Sequence, residues 1–238
     1  MSQQYNKQRK EFETAFDLLP KVAGSDEEFV SPSGLYKLHV AEYGEVETYR
    51  IYSRGFVSKI ADGQVIADIK RNYSNFWHSW IEHPNGKEYL LCGEDYQGYS
   101  VVNLTQEVYQ SYFPDEALQG SGFCWVAAYP SPDKLMLAVD GCFWACPYEI
   151  VFYDFQQPDK LPYKEIERVD INYLKDCEGW LNNETFVFNR QFKVRKSDGF
   201  PYEQLSKEER EVLDSNNLLV EDKVESVKAK RPSLTAAV

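Results

Sequence analysis

Residues 129–139 have the sequence YPSPDKLMLAV, a proline-containing turn followed by a run of apolar residues. Pro132 fixes the backbone angle at its turn position, and the apolar run is typical of a buried strand. The same order occurs twice earlier, as FVSPSGLYKL at residues 29–38 and IEHPNGKEYLL at residues 81–91. The prolines of neighbouring copies are 52 and 48 residues apart. This spacing indicates an internal repeat of about fifty residues.

A weaker fourth copy, WLNNETFVF, lies at residues 180–188, with Asn183 at the position of Pro132. After the turn and its strand, each of the first three copies continues with two more strand-like runs. These runs are residues 48–52 and 64–68, 99–104 and 108–112, and 149–154 and 164–169. Four short strands in about fifty residues are typical of one β-propeller blade. The chain is therefore predicted to be mainly β, with about four antiparallel blade-like repeats in a propeller-like ring or an open sheet array.

Both ends of the chain are predicted to be helical. Residues 3–19 carry apolar side chains at helical spacing, and Pro20 ends the segment. Near the other end, Ser206 and Glu209 have the spacing of a capping box, which predicts a short helix through Leu213. A second helix is predicted to carry three valines on one side, namely Val220, Val224 and Val227.

These boundaries divide the chain into three parts. Residues 1–20 are predicted to be an N-terminal helix, residues 21–200 a propeller-like domain, and residues 201–238 a helical segment with a flexible tail.

The composition predicts no nucleic-acid partner and no membrane span, although the charge alone leaves a local basic patch open. The net charge of −12 repels the phosphate backbone of nucleic acids, and no apolar run approaches the roughly 20 residues of a membrane span. The first ten residues are polar, unlike a signal peptide. Five cysteines are an odd number for a secreted disulfide framework, so reduced thiols in a cytoplasmic protein are expected. Cys142 and Cys146 lack the spacing of a redox or zinc motif, and whether they form a bridge stays open.

The run from Tyr129 to Phe155 resembles a blade of the WD-repeat-like or lactonase-like β-propellers. Those families share a Ser-Pro-Asp-Gly turn, an apolar strand, and a strand that ends in Tyr-Asp. Residues 131–133 and 153–154 match this pattern, whereas Lys134 stands where the family has glycine. The Gly-His and Trp-Asp pairs of true WD repeats are absent. The resemblance covers about residues 25–195 and implies the architecture only.

If the repeats are blades, the loops between their second and third strands gather on one rim. These loops combine acidic and aromatic side chains, which suit a protein partner or a cationic or sugar-like ligand. The predicted partner-binding residues are Tyr43, Asp95, Tyr96, Phe143, Trp144 and Tyr148. The sequence thus favours a non-catalytic binding or scaffold module, although the acidic residues also fit an ordinary solvated rim.

The alternative function is a metal-dependent hydrolase. Lactonase-like propellers bind a divalent cation at their axis, and aligning the repeats places acids and a histidine at the matching inner positions. The candidate ligands are Asp26, His78, Asp176 and Glu178. No histidine metal motif, nucleophile elbow or phosphate loop occurs in the sequence, which favours binding over catalysis and predicts no cofactor. Four blades are few for a closed ring, so two chains pairing as a homodimer is a further possibility.

Overall fold

The computed structural model describes residues 3–45, 50–94, 97–119, 122–143, 148–171 and 174–231. The described chain contains four antiparallel sheets whose strands follow one another in chain order. The first sheet consists of β1 (Glu27–Val30), β2 (Tyr36–Glu45), β3 (Arg50–Lys59) and β4 (Val65–Arg71). The second sheet consists of β5 (His78–Glu82), β6 (Glu88–Gly93), β7 (Tyr99–Asn103) and β8 (Val108–Tyr112).

The third sheet repeats this plan and the fourth has three strands. The third consists of β9 (Cys124–Pro130), β10 (Met136–Cys142), β11 (Tyr148–Asp154) and β12 (Lys164–Asp170). The fourth consists of β13 (Leu174–Trp180), β14 (Thr185–Arg195) and β15 (Leu218–Lys228). The mainly β fold and the succession of four repeats are confirmed.

The repeated turn closes the hairpin between the first two strands of each of the first three sheets. In the third sheet, the backbone N–H of Ser131 donates to the carbonyl of Met136, and the Ser131 hydroxyl accepts from the N–H of Met136. The fourth turn position has a positive φ in each of the first three copies: 72° at Gly34, 80° at Gly86 and 61° at Lys134. Glycine adopts this conformation without strain, whereas lysine does not.

Apolar cores fill the space between neighbouring sheets. The first and second sheets meet through five fully buried residues: Leu38, Val57, Ile69, Leu90 and Val102. The second and third sheets meet through another five: Leu91, Val101, Leu137, Val139 and Val151. The third and fourth meet through Ala138, Ile150, Phe152, Phe186 and Phe188. Successive side chains of a strand point to opposite faces, so β6 and β10 are buried on both sides.

The four sheets form an open array. In the described part of the chain, no apolar core joins the fourth sheet to the first. On the fourth sheet, Val220 and Val224 are each 60% exposed. Of the two arrangements that the sequence left open, the described residues thus show the open one.

The prediction of a second C-terminal helix is wrong. Val220, Val224 and Val227 lie in β15, which pairs antiparallel with β14 along eleven residues. Their spacing of four and three residues fits a helix, but β-branched side chains favour strands. Long-range pairing with β14 decides the outcome, because Val227 pairs with the buried Phe186.

The end of β15 is bound to the third sheet. Ala229 is buried, and the Arg231 guanidinium contacts the Asp133 carboxylate and donates to the carbonyl of Asn183 at 3.0 Å. Part of the predicted tail is therefore anchored, and residues 232–238 lie outside the described part of the chain.

In the part of the chain that the structure describes, two α-helices flank the sheets, α1 (Gln3–Phe16) and α2 (Lys207–Val212). The predicted capping box is confirmed, since the Ser206 hydroxyl accepts from the N–H of Glu209 and the Glu209 carboxylate accepts from the N–H of Ser206. Neither of these described helices has the length and apolarity needed to span a membrane.

Helix α1 is fastened to the first two sheets. The ring of Phe16 lies 5.3 Å from the ring of Tyr43, and Phe16 is almost fully buried. The Arg9 guanidinium donates to the carbonyl of Lys70 at 2.6 Å and to the carboxylate of Glu94 at 2.8 Å. The helix therefore spans from the first sheet to the second.

Candidate functional site

A cavity of about 400 Å³ lies between the second and third sheets. Its rings belong to strands of both sheets and to the connections beside them. The aromatic residues around it are Tyr99, Tyr112, Phe123, Trp125, Phe143, Tyr153 and Tyr163. A pocket of this volume and apolar lining suits one side chain or a small ring.

The inner wall of the cavity is a stack of four rings. Trp125 lies 4.2 Å from Tyr99, with 21° between the rings, and 5.2 Å from Tyr153. Tyr99 also stacks on Tyr163 at 5.1 Å. Offset stacking of this kind is favourable beyond the area that it buries. The wall is therefore a continuous aromatic surface.

Backbone contacts fix the orientation of the stack. The Tyr99 hydroxyl accepts a hydrogen bond from the backbone N–H of Tyr163 at 2.9 Å, and the Tyr163 hydroxyl donates to the carbonyl of Pro158 at 3.1 Å. Burial raises the pKa of Tyr99, Tyr153 and Tyr163. These tyrosines therefore stay neutral and serve as flat, uncharged walls.

Gly122 leaves space on the cavity lining for the side chain of Gln97. A Cβ atom placed on Gly122 would lie 2.1 Å from the Oε1 atom of Gln97. Gln97 and Gly122 are both buried and both line the cavity. Gly122, which reads as a plain linker residue in the sequence, thus makes room for the Gln97 amide.

Among the described residues that line the cavity, Arg168 carries a positive charge and Glu116 and Glu165 carry negative charges. The Arg168 guanidinium lies 5.0 Å from the ring centre of Phe123 and 5.4 Å from that of Phe143. It donates to Glu165 at 2.8 Å and contacts Glu149 as well. The Glu165 hydrogen bond is the largest cause of the raised pKa of Arg168, which holds the guanidinium fully charged. Glu116, an exposed residue, lies on the cavity lining too.

Of the six predicted rim residues, Phe143 lines this cavity, and it is half-buried directly after β10. Tyr148 begins β11 and is half-buried, and burial is the largest cause of its raised pKa. Asp95, Tyr96 and Trp144 lie outside the described residues. In the sequence, Tyr96 precedes the cavity residue Gln97, and Trp144 follows the cavity residue Phe143.

Tyr43 is placed differently from the prediction. The residues expected to form its loop belong to β2, which extends to Glu45. Tyr43 is half-buried there, and its ring contacts Phe16 of α1. The physical reason is a hairpin in which β2 and β3 pair along ten residues, so the connection begins later than expected.

Three of the four candidate metal ligands, Asp26, His78 and Asp176, contact other groups of the chain. Asp26 accepts from His39 at 2.7 Å and contacts Lys21, and these two hydrogen bonds are the main causes of its lowered pKa. The ring of His78 lies 4.4 Å from that of Phe29, and burial lowers the pKa of His78.

The other two candidates lie on the fourth sheet. Asp176 and Glu178 are exposed on β13, and Asp176 accepts a hydrogen bond from the side-chain amide of Asn189. Within the described residues, no group of three or more His, Cys, Asp or Glu side chains is placed to hold a metal ion. The structure does not bring the four predicted ligands together there.

Sequence reasoning missed most of the cavity. Tyr99, Trp125 and Tyr153 were predicted to lie in strands or beside them but were assigned no role in a site. Tyr99 lies on β7 of the second sheet, whereas Trp125 and Tyr153 lie on β9 and β11 of the third, so their meeting depends on the packing of the two sheets. Arg168 lies in the predicted outer strand of its repeat, and nothing in its local sequence distinguishes it.

The geometry defines a class of protein: an open array of four antiparallel sheets with an aromatic cavity between the two central ones. No known family model matches the chain. The chain is 31% identical over 185 residues to the uncharacterized protein R762 of Acanthamoeba polyphaga mimivirus, covering 75% of this chain and 72% of that protein. It therefore belongs to the same family as R762.

Among solved structures, the chain is similar to Kluyveromyces lactis Hsv2, with 12% sequence identity and a TM-score of 0.39. The match covers 88% of this chain and 62% of that one, so the chain spans less than two thirds of the length of Hsv2. A score this low supports no argument about function.

Proposed function

We propose that this protein is a non-catalytic binding module that holds a segment of a partner protein at the cavity between the second and third sheets. The observation that carries the proposal is the cavity itself, a preformed aromatic pocket of about 400 Å³ with charged groups at its mouth. Buried aromatic anchors in pockets contribute most of the binding energy of protein interfaces.

The predicted rim supports the same location. Phe143 belongs both to the predicted rim and to the cavity, and the rim residues Tyr96 and Trp144 are sequence neighbours of the cavity residues Gln97 and Phe143. We propose that the predicted rim residues also contact the partner. The metal-dependent hydrolase and the cytoplasmic location remain predictions from the sequence.

The proposal is tested with an array of immobilised peptides that is probed with the purified full chain. The variant Phe143→Ala removes one ring from the mouth of the cavity. The matched control is Leu181→Ala, which truncates a side chain that is 73% exposed in the hairpin turn of the fourth sheet. We expect peptides that bind the unmodified chain and the control but bind Phe143→Ala at least tenfold more weakly. If no peptide shows this dependence on Phe143, the proposal is refuted.

A further inference from the structure

The charged side chains around the cavity do not balance. The guanidinium of Arg168 is the cation at the mouth, and it is paired with two carboxylates, Glu149 and Glu165. Glu116 adds a third carboxylate from the end of the second sheet. The formal charge of these four groups is therefore −2.

Glu116 affects the pKa of Tyr112, an aromatic residue of the cavity lining. Burial is the largest cause of the raised pKa of Tyr112, and the charges of Glu116 and Asp115 raise it further. Both carboxylates therefore act on the part of the cavity that Tyr112 lines. A ligand group near Tyr112 experiences a negative potential.

The rings add to the attraction for a cation. The faces of Trp and Tyr attract a positive charge within about 6 Å. Arg168 already uses the faces of Phe123 and Phe143 in this way, at 5.0 and 5.4 Å. The aromatic walls therefore suit the apolar part of a long side chain, and the mouth suits the positively charged end of that side chain.

We propose that the cavity receives a basic side chain, lysine or arginine, from a segment of the partner protein, with its apolar stem against the rings and its charge near Glu116. This assignment rests on the proposed function and names the chemistry of the partner. The net charge of −12 favours the approach of a basic segment over longer distances. The proposed basic side chain thus fits the cavity in charge as well as in shape.

The test uses fluorescently labelled heptapeptides of glycine and serine with one variable central residue. The central residue is lysine, arginine, norleucine or glutamate, and binding to the full chain is measured by fluorescence anisotropy at low salt. We expect the lysine or arginine peptide to bind at least tenfold more tightly than the norleucine and glutamate peptides. Raising the salt concentration is expected to weaken that binding, because the attraction is partly electrostatic.

Two variants that change the net charge equally show whether the attraction for the basic peptide comes from the cavity. Glu116→Gln removes the carboxylate at the cavity, whereas Glu208→Gln removes an exposed carboxylate on α2. We expect a three- to tenfold loss of affinity for the basic peptide with Glu116→Gln and no change with Glu208→Gln. Equal effects of the two variants would overturn the assignment of the charge to this site.

The outcomes separate this inference from the proposed function. If norleucine binds as tightly as lysine and arginine and Phe143→Ala abolishes that binding, the cavity is an apolar peptide site and the basic-side-chain assignment fails. If no peptide binds in a manner that depends on Phe143, here or on the array, both proposals fail.

Discussion

Replacing Lys134 by glycine is expected to stabilise the protein. Lys134 has a φ of 61° in a turn where the equivalent residues of the first two sheets are Gly34 and Gly86. A left-handed conformation costs an L-residue about 1–2 kcal/mol, and the greater freedom of glycine in the unfolded chain offsets about 0.4–1 kcal/mol of the gain. The expected net increase in the free energy of unfolding is about 0.5–1 kcal/mol, measured by urea denaturation with an unchanged m-value.

Two further variants test the cause of this gain. Lys134→Ala removes the same side chain but keeps the left-handed strain, so its stability should stay close to that of the unmodified chain. Gly86→Ala introduces the strain into the second sheet, where no atom lies within 4 Å of the added Cβ. It should destabilise the protein by about 0.5–1 kcal/mol, because the backbone conformation is the only feature that changes. Equal stability of Lys134→Gly and Lys134→Ala would refute the reasoning.

The remaining predictions concern two buried charged groups and the order in which the strands open to hydrogen exchange. Burial raises the pKa of Asp140 from 3.8 to about 6, so the folded state favours the protonated carboxyl and stability falls as the pH rises from about 4 to about 6. Asp140→Asn should therefore leave the free energy of unfolding in urea unchanged near pH 4 and increase it by up to about 3 kcal/mol at pH 7. A loss at pH 7 would contradict this. Arg9→Met removes the guanidinium that donates to the buried Glu94 carboxylate and should cost roughly 3 kcal/mol by the same method, with partial recovery when Glu94→Gln is added. Hydrogen exchange should be slowest in β6 and β10, which are buried on both faces, and faster in β15, which is mostly exposed. Equal protection of these three strands from exchange would contradict the open array.

The strands of the first three sheets could be predicted because their signals are local. A proline turn fixes where one strand ends and the next begins, and Pro32, Pro84 and Pro132 give the repeat its period. The continuous apolar runs after these turns correspond to strands with neighbours on both faces, such as β6 and β10. Local turn chemistry and burial thus indicate the same fold.

The third strand of the fourth sheet could not be predicted in this way. Residues 196–217 separate β14 from β15, so the strand does not follow its partner at the spacing of the other repeats. Its valines have a spacing that fits a helix, and most of its side chains are exposed. The pairing with β14 is a long-range contact that no local pattern encodes.

The candidate cavity could not be predicted from the sequence for a related reason. Tyr99 and Tyr163 are 64 residues apart and meet because two sheets pack at a fixed distance. Phe143 was predicted from its loop and lies on the lining, since a loop that follows a buried strand begins beside the core. Arg168 depends on the register between β11 and β12, where it pairs with Val151 and reaches Glu149.

The open array explains why the cavity lies between the two central sheets. The second and third sheets each have an apolar core on both faces, whereas the first and fourth sheets share only one described core with a neighbour. A wall that is held from both sides loses little conformational freedom when a ligand binds, so less of the interaction energy is spent on ordering the site. The rings of Tyr99 and Trp125 meet this condition, because they belong to strands of the two central sheets and stack at 4.2 Å. A binding pocket is therefore better supported at this interface than at either end of the array.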